Sequence, residues 1–271
     1  MKSRERDRRV RLILRMLTDA PEVSVQTLTD RLGVSGATVR RDLVCMEDSG
    51  LVRRSYGKVI SLRPNGHIPI SLRYSEESDA KRRIGALAAS LVPGDPVTVV
   101  MSGGTTVRSV AQCLAARAGL RVVTNSLATA DPLLAKQRVD VVVTGGLAHP
   151  SSQQLVGDLT IATLRRYRYD LAVIGVKGIC WRHGLATDDG DAARASHAMV
   201  ERSQRVIVVA DSSKIGCSRG QRICGIEAAD HKVGLEAVDH IVTDSRASRA
   251  ELAGLRLMGL DLVLAAMPST L

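Results

Sequence analysis

The chain has 271 residues and a mass of 29.0 kDa, enough for two modest domains. Its 45% hydrophobic and 24% charged residues exclude disorder, collagen-like repeats and small disulfide scaffolds. The net charge of +10 points to an anionic partner and is unevenly spread: residues 1–70 carry 14 Lys and Arg against 8 Asp and Glu, whereas residues 71–271 carry 24 against 20.

No apolar run reaches the 18 or so residues a membrane span needs, and the opening MKSRERDRRVR lacks the apolar stretch of a signal peptide, so a cytoplasmic protein without membrane partners is expected. The five cysteines (Cys45, Cys113, Cys180, Cys217, Cys224) and six histidines are scattered without CxxC or HExxH spacing, so neither a metal site nor a cofactor is expected. An aromatic content of 2%, with no Phe, removes the stacking platforms of single-strand binders and leaves duplex DNA as the nucleic acid to consider.

In chain order, Val10, Leu12, Ile13, Leu14, Met16 and Leu17 place one apolar face on a helix over Asp7 to Leu17. A second helix follows Ser24, a suitable cap, with Val25, Leu28 and Leu32 inward. Gly33-Val34-Ser35 makes a tight connection to a third helix, from about Gly36 to Asp48, that buries Val39, Leu43 and Met46. Two short helices joined by a Gly-containing turn form a helix-turn-helix, whose second helix enters the major groove. Two β-type runs around Tyr56-Gly57-Lys58 then read as a wing, with Arg53, Arg54 and Lys58 placed for phosphates.

Residues 61–74 contain two Pro, one Gly and no long periodic pattern, and read as a linker. From residue 75 onward a helix over Glu76 to Leu91 precedes apolar runs that alternate with helical ones. The runs are Val97–Met101, Val122–Thr124, Val139–Thr144, Leu171–Gly175, Val206–Ala210, His240–Thr243 and Leu260–Leu264. This alternation indicates an α/β domain around a mostly parallel sheet, in which ligands sit beyond the carboxyl ends of the strands.

The turns at those ends are therefore the candidate site. Ser102-Gly103-Gly104-Thr105-Thr106 follows a strand and opens a helix, where backbone N–H groups, hydroxyls and the helix dipole suit a phosphate; the same residues also suit a plain turn and cap. No GKT or GKS follows, which argues against a nucleoside triphosphatase. Thr124-Asn125-Ser126, Thr144-Gly145-Gly146, Val176-Lys177-Gly178 and Asp211-Ser212-Ser213-Lys214 occupy further strand ends.

Assembled, these motifs resemble the DeoR family of bacterial transcriptional regulators over nearly the whole chain. The resemblance is carried by Leu32-Gly33-Val34-Ser35-x-Ala37-Thr38-Val39-Arg40-Arg41-Asp42-Leu43, by Gly50 to Arg54 and by Tyr56-Gly57. In the second domain it is carried by Ser102-Gly103-x-Thr105-Thr106, Thr124-Asn125-Ser126, Gly145-Gly146, Leu155-Val156-Gly157, Asp170, Gly178-Ile179 and Asp211 to Lys214. It implies a winged helix-turn-helix over residues 1–60 and, over 75–271, an α/β domain for effector sensing and oligomerisation. That domain would share the fold of ribose-5-phosphate isomerases and CoA transferases, in a repressor of sugar catabolism that answers to a phosphorylated sugar.

The chain departs from the family pattern at Met101, Lys177, Ala192 and Ser196, and of the acidic pair that the pattern has near the end of the stretch from Gly184 to Ala193 it keeps only Asp191. The DNA-binding candidates are Ser35, Ala37, Thr38, Arg40, Arg41, Arg53, Arg54, Tyr56 and Lys58. Those for the effector are Ser102, Gly103, Gly104, Thr105, Thr106, Asn125, Ser126, Gly146, Lys177, Asp191 and Lys214. Specificity for two half-sites asks for a homo-oligomer. The rival reading is a sugar-phosphate isomerase or acyl-CoA transferase on the same fold, against which stands the lack of an evident acid/base pair.

Overall fold

The computed structural model describes the chain except residues 1, 21, 63–67, 95, 188, 219, 225–234 and 269–271. It divides into two compact units, Met1–Glu76 and Glu77–Leu271.

The first unit contains α1 (Lys2–Asp19), β1 (Glu22–Ser24), α2 (Val25–Leu32), α3 (Gly36–Asp48), β2 (Val52–Ser55), β3 (Lys58–Ser61) and α4 (Ile70–Arg73). Its core joins Ile13, Leu14, Leu28, Val39, Leu43, Met46, Val52 and Val59. Ser24 caps α2 by accepting from the Thr27 N–H at 3.0 Å, and Ser35 caps α3 by accepting from the Thr38 N–H at 3.3 Å. Between them Gly33 takes φ 63°, a left-handed conformation that closes α2 through its N–H to the Thr29 carbonyl.

Two features differ from the sequence expectation. The first helix starts earlier, because the Arg-rich opening consists largely of good helix formers. The three-residue β1 pairs antiparallel with β3, Val23 opposite Val59, and turns the wing into a three-stranded sheet of order β1-β3-β2. Of the expected linker, residues 63–67 lie outside the described residues. Beyond them Ile68 and Leu72 pack on the winged-helix core and Ile70 is buried. Arg11 donates to the Leu72 carbonyl and Arg15 to Glu76, so this stretch belongs to the first unit.

The second unit opens with α5 (Ser78–Ser90), β4 (Val97–Met101), α6 (Thr105–Leu114), β5 (Leu120–Thr124), α7 (Leu127–Leu134) and β6 (Asp140–Val143). A hairpin of β7 (Leu147–His149) and β8 (Gln154–Val156) leads to α8 (Asp158–Arg165) and β9 (Leu171–Gly175). Then come β10 (Gly178–Cys180), β11 (Gly184–Thr187), α9 (Gly190–Glu201), β12 (Val206–Val209), β13 (Gln221–Cys224), β14 (His240–Asp244), α10 (Arg249–Leu257) and β15 (Asp261–Ala265).

Among the described residues seven strands form one parallel sheet of order β15-β14-β12-β9-β4-β5-β6. Both faces are covered. Val97, Val99, Met101, Leu171, Val173 and Val209 enter one core, and Val100, Ala172, Ile174, Val206 and Val208 enter the other. This two-residue alternation between two apolar cores explains why the strands read as continuous apolar runs.

The chain starts in the middle at β4, proceeds outward through β5 to β6, then returns to β9 on the other side of β4. The order therefore reverses between β4 and β9, and the crevice at their carboxyl ends is the topological switch point of the sheet.

Candidate functional site

On the first unit, Ser35, Ala37, Arg40 and Arg41 are exposed and Thr38 is partly so, while Val39, Leu43 and Met46 fill the core on the opposite side of α3. Val44 is 42% exposed and continues the line of Ala37, Arg40 and Arg41 at helical spacing. Sequence reasoning passes over it, because a valine beside Leu43 on an amphipathic helix reads as core. A methyl-bearing side chain on this face is suited to a thymine methyl group.

The wing turns through Tyr56 at φ 46° and Gly57 at φ 75°, the pair of positive φ angles a two-residue hairpin needs. Tyr56 stands fully exposed at its tip, and Arg53, Arg54 and Lys58 are exposed beside it. Two of these cations have acidic partners. Arg54 pairs with Glu47 of α3 at 2.7 Å, and Lys58 with Glu22 of β1. The Arg54 backbone N–H and guanidinium together hold the Glu47 carboxyl below its usual range. Arg9, in the basic stretch that opens the chain, is likewise committed, bonding the buried Asp42 of α3 at 2.6 Å.

On the second unit, the loop after β4 sits at the switch point. The Ser102 N–H donates to the Val173 carbonyl, and the Ser102 hydroxyl accepts from the Gly175 N–H at 2.9 Å. Thr129 of α7 donates its hydroxyl to the Ser102 carbonyl at 3.1 Å. Gly103 and Gly104 lead into α6, whose N-terminus has no side-chain cap, with Thr105 partly exposed and Thr106 buried. Uncapped N–H groups at a helix start, beside two hydroxyls, can hold a compact anion.

The other expected contacts divide. Asn125 and Ser126 adjoin this loop, but both are fully buried, and each spends a polar atom on the protein itself. Asn125 donates from Nδ2 to the Leu155 carbonyl at 2.9 Å, and Ser126 caps α7 by accepting from the Thr129 N–H. Gly146 is a close-packing position, where a Cβ would lie 2.2 Å from Thr160 Oγ1. Lys177 lies at the end of β9, its N–H bonded to the Ala186 carbonyl, and Lys214 lies in a short turn at the end of β12. Asp191 begins α9, paired with Arg194 at 3.5 Å, and both line a separate cavity of about 810 Å³.

Among the described residues no group of three side chains is placed to hold a metal ion. No helix among them is long and apolar enough to cross a membrane.

Comparison with known proteins follows these two units. Residues 9–65 match the model of the DeoR-like helix-turn-helix domain, and residues 76–245 match that of the DeoR C terminal sensor domain. The chain belongs to the DeoR family of DNA-binding transcriptional regulators.

This DeoR-family chain is 30% identical to the putative aga operon transcriptional repressor of Escherichia coli O157:H7, over 93% of its own length and 91% of that protein. It is 28% identical to the glycerol-3-phosphate regulon repressor of Escherichia coli (strain K12), over 75% and 81% of the two lengths. Among solved structures it matches ribose 5-phosphate isomerase A from Methanocaldococcus jannaschii at 16% identity, with a TM-score of 0.39 over 51% of this chain and 55% of that one.

Three positions where the DeoR-family chain departs from the expected pattern, Met101, Ala192 and Ser196, are buried. Met101 packs in the core shared by β4 and α6, where a carboxylate would have to be desolvated.

Proposed function

We propose that this protein is a cytoplasmic repressor of a carbohydrate-catabolism operon, released or engaged by a phosphorylated sugar, and that it acts as an oligomer on paired half-sites. Residues 1–60 hold the operator, and the unit from Glu77 onward senses the effector and joins the copies. Ser35, Ala37, Thr38, Arg40 and Arg41 read the major groove, while Arg53, Arg54, Tyr56 and Lys58 hold the backbone.

The observation that carries this reading is the exposed face of α3, which presents Ala37, Arg40 and Arg41 in line and shares its side of the unit's polar surface with no core residue. The repressor role is further supported by the two relatives named for the aga operon and the glycerol-3-phosphate regulon. For the effector, the uncapped start of α6 at the switch point supports a phosphate bound by Ser102, Gly103, Gly104, Thr105 and Thr106. Lys177 and Lys214, at the ends of β9 and β12, supply positive charge to the effector, and Asp191 serves it from the cavity at the start of α9.

Footprinting on DNA tiled upstream of the neighbouring genes tests this reading. A protected two-fold element is expected, with an affinity that falls steeply with salt. Arg41→Ala should weaken specific binding by roughly 1 to 3 kcal/mol and leave non-specific binding nearly unchanged. Equal losses on specific and scrambled duplexes would move Arg41 to a phosphate, and no protected element would end the reading.

A further inference from the structure

The β7–β8 hairpin lies across the switch point. Its Leu155 N–H donates to the Asn125 carbonyl at 2.7 Å, Asn125 Nδ2 returns a bond to the Leu155 carbonyl, and the Leu127 N–H donates to the Gln153 carbonyl at 3.0 Å. These bonds fasten β8 along the turn after β5, beside the loop after β4. Gln154 then lies directly on that loop, so that a Cβ on Gly103 would come within 2.5 Å of its Cγ and Cδ and 2.8 Å of its Nε2.

A second observation concerns the turn that the hairpin covers. The side-chain oxygen of Asn125 is buried with no hydrogen-bond partner, while the nitrogen of the same amide is held by Leu155. An acceptor left without a donor in a fully buried side chain is unfavourable, and a ligand hydroxyl is a donor that satisfies it.

His149 is the register partner of Gln154 across the hairpin, and directly opposed residues of an antiparallel pair share a face. His149 lines the cavity of about 810 Å³, together with Ile161, Asp191, Arg194, His197 and Arg222. One face of one hairpin therefore touches both the phosphate loop and a cavity large enough for the remainder of a sugar ester.

We propose that this hairpin is the element that reads the effector, with Gln154 contacting its anion at Gly103 and His149 contacting its polyol end in the cavity. This rests on the phosphate site proposed above and extends it by assigning the two ends of the ester to two residues of one hairpin. A neutral amide suits the anion end because it donates a hydrogen bond without the charge of a carboxylate.

Calorimetry on the full chain with inorganic phosphate, glycerol 3-phosphate and glucose 6-phosphate tests the assignment. The wild type should bind at least one ester more tightly than phosphate itself. Gln154→Glu should weaken phosphate and esters alike by at least about tenfold, the size of a lost bond to a charged group, and Gln154→Ala should weaken both less. His149→Ala should weaken the ester by about fivefold and leave inorganic phosphate unchanged. Melting temperature and DNA affinity without effector check that each variant is folded.

Wild-type affinity in Gln154→Glu, or equal losses of phosphate and ester in His149→Ala, would overturn the hairpin's role while leaving the phosphate site standing. A wild type that binds phosphate but no ester more tightly would overturn the polyol half. If the wild type binds none of the three probes, the phosphate site itself fails and this inference with it.

Discussion

Ser102 and Gly175 are joined across the centre of the sheet, the Gly175 N–H donating to the Ser102 hydroxyl at 2.9 Å. The bond ties the ends of β4 and β9, the two strands between which the order reverses, and so sets the shape of the loop that starts α6. The approach is close: a Cβ on Gly175 would lie 2.8 Å from Val107 Cγ2 and 2.9 Å from the Gly103 carbonyl oxygen. Ser102→Ala should cost about 1 kcal/mol in urea unfolding, as expected for one lost hydrogen bond, and should weaken phosphate binding measured by calorimetry. Unchanged phosphate affinity would show that the loop keeps its shape without this tie.

Thr105→Asp places a carboxylate at the start of α6, where the proposed phosphate sits. The variant should lose its response to phosphate esters and keep its DNA affinity in their absence, since the residues proposed to read DNA belong to the other unit. Band-shift titrations with and without glycerol 3-phosphate read both quantities, and a retained response would reduce the loop to a structural turn.

Glu47 holds Arg54 at 2.7 Å and places a negative charge beside the wing. Glu47→Gln should release the guanidinium for phosphate, tightening non-specific binding and steepening the log–log salt slope by about 0.9 for one added contact. Weaker binding at every salt concentration would instead assign Glu47 the task of holding the wing in place.

Gly85 lies where α5 crosses α6, and a Cβ there would come within 2.7 Å of the Ser109 carbonyl carbon. Backbone cannot yield as a flexible side chain can, so Gly85→Ala should destabilise the second unit by roughly 1 to 3 kcal/mol in urea melts. A neutral substitution would show that the two helices separate without loss.

Asp244 is fully buried at the end of β14. Burial alone pushes its carboxyl up, but bonds from the Arg246 guanidinium, the Ser212 N–H and the Arg246 N–H outweigh it and hold the group below its usual value. Its contribution to stability is therefore present above the unfolded pKa of about 3.9 and is lost as pH falls through the lower folded value. Urea melts from pH 7 down to about pH 2 should show this loss setting in below about pH 4, and Asp244→Ala should destabilise the unit at neutral pH and flatten the acid limb. An unchanged acid limb in that variant would assign the acid sensitivity to other carboxylates.

Much of the fold is legible along the chain because it is local. Ser24 and Ser35 cap helices, Gly33 turns left-handed, and the β-branched runs at 97–101, 171–175 and 206–209 are strands covered on both faces. The three-residue strands β1, β7, β8 and β10 escape such reading, since a period of two cannot be established over three residues and their partners supply the pairing. The same limit hid the acidic partners of Arg54 and Lys58, which lie 7 and 36 residues away along the chain.

By itself the sequence determined the two-part organisation, the helix-turn-helix with its wing, the parallel α/β class and the family, because each rests on local spacing and residue type. Tertiary structure alone decided that β9 returns beside β4, that Asn125 and Ser126 lie buried beneath a hairpin, and that Gln154 rests on Gly103. Strand order and burial are settled by which apolar faces close on one another across long loops, and no residue's own propensity encodes its neighbour fifty or seventy positions away.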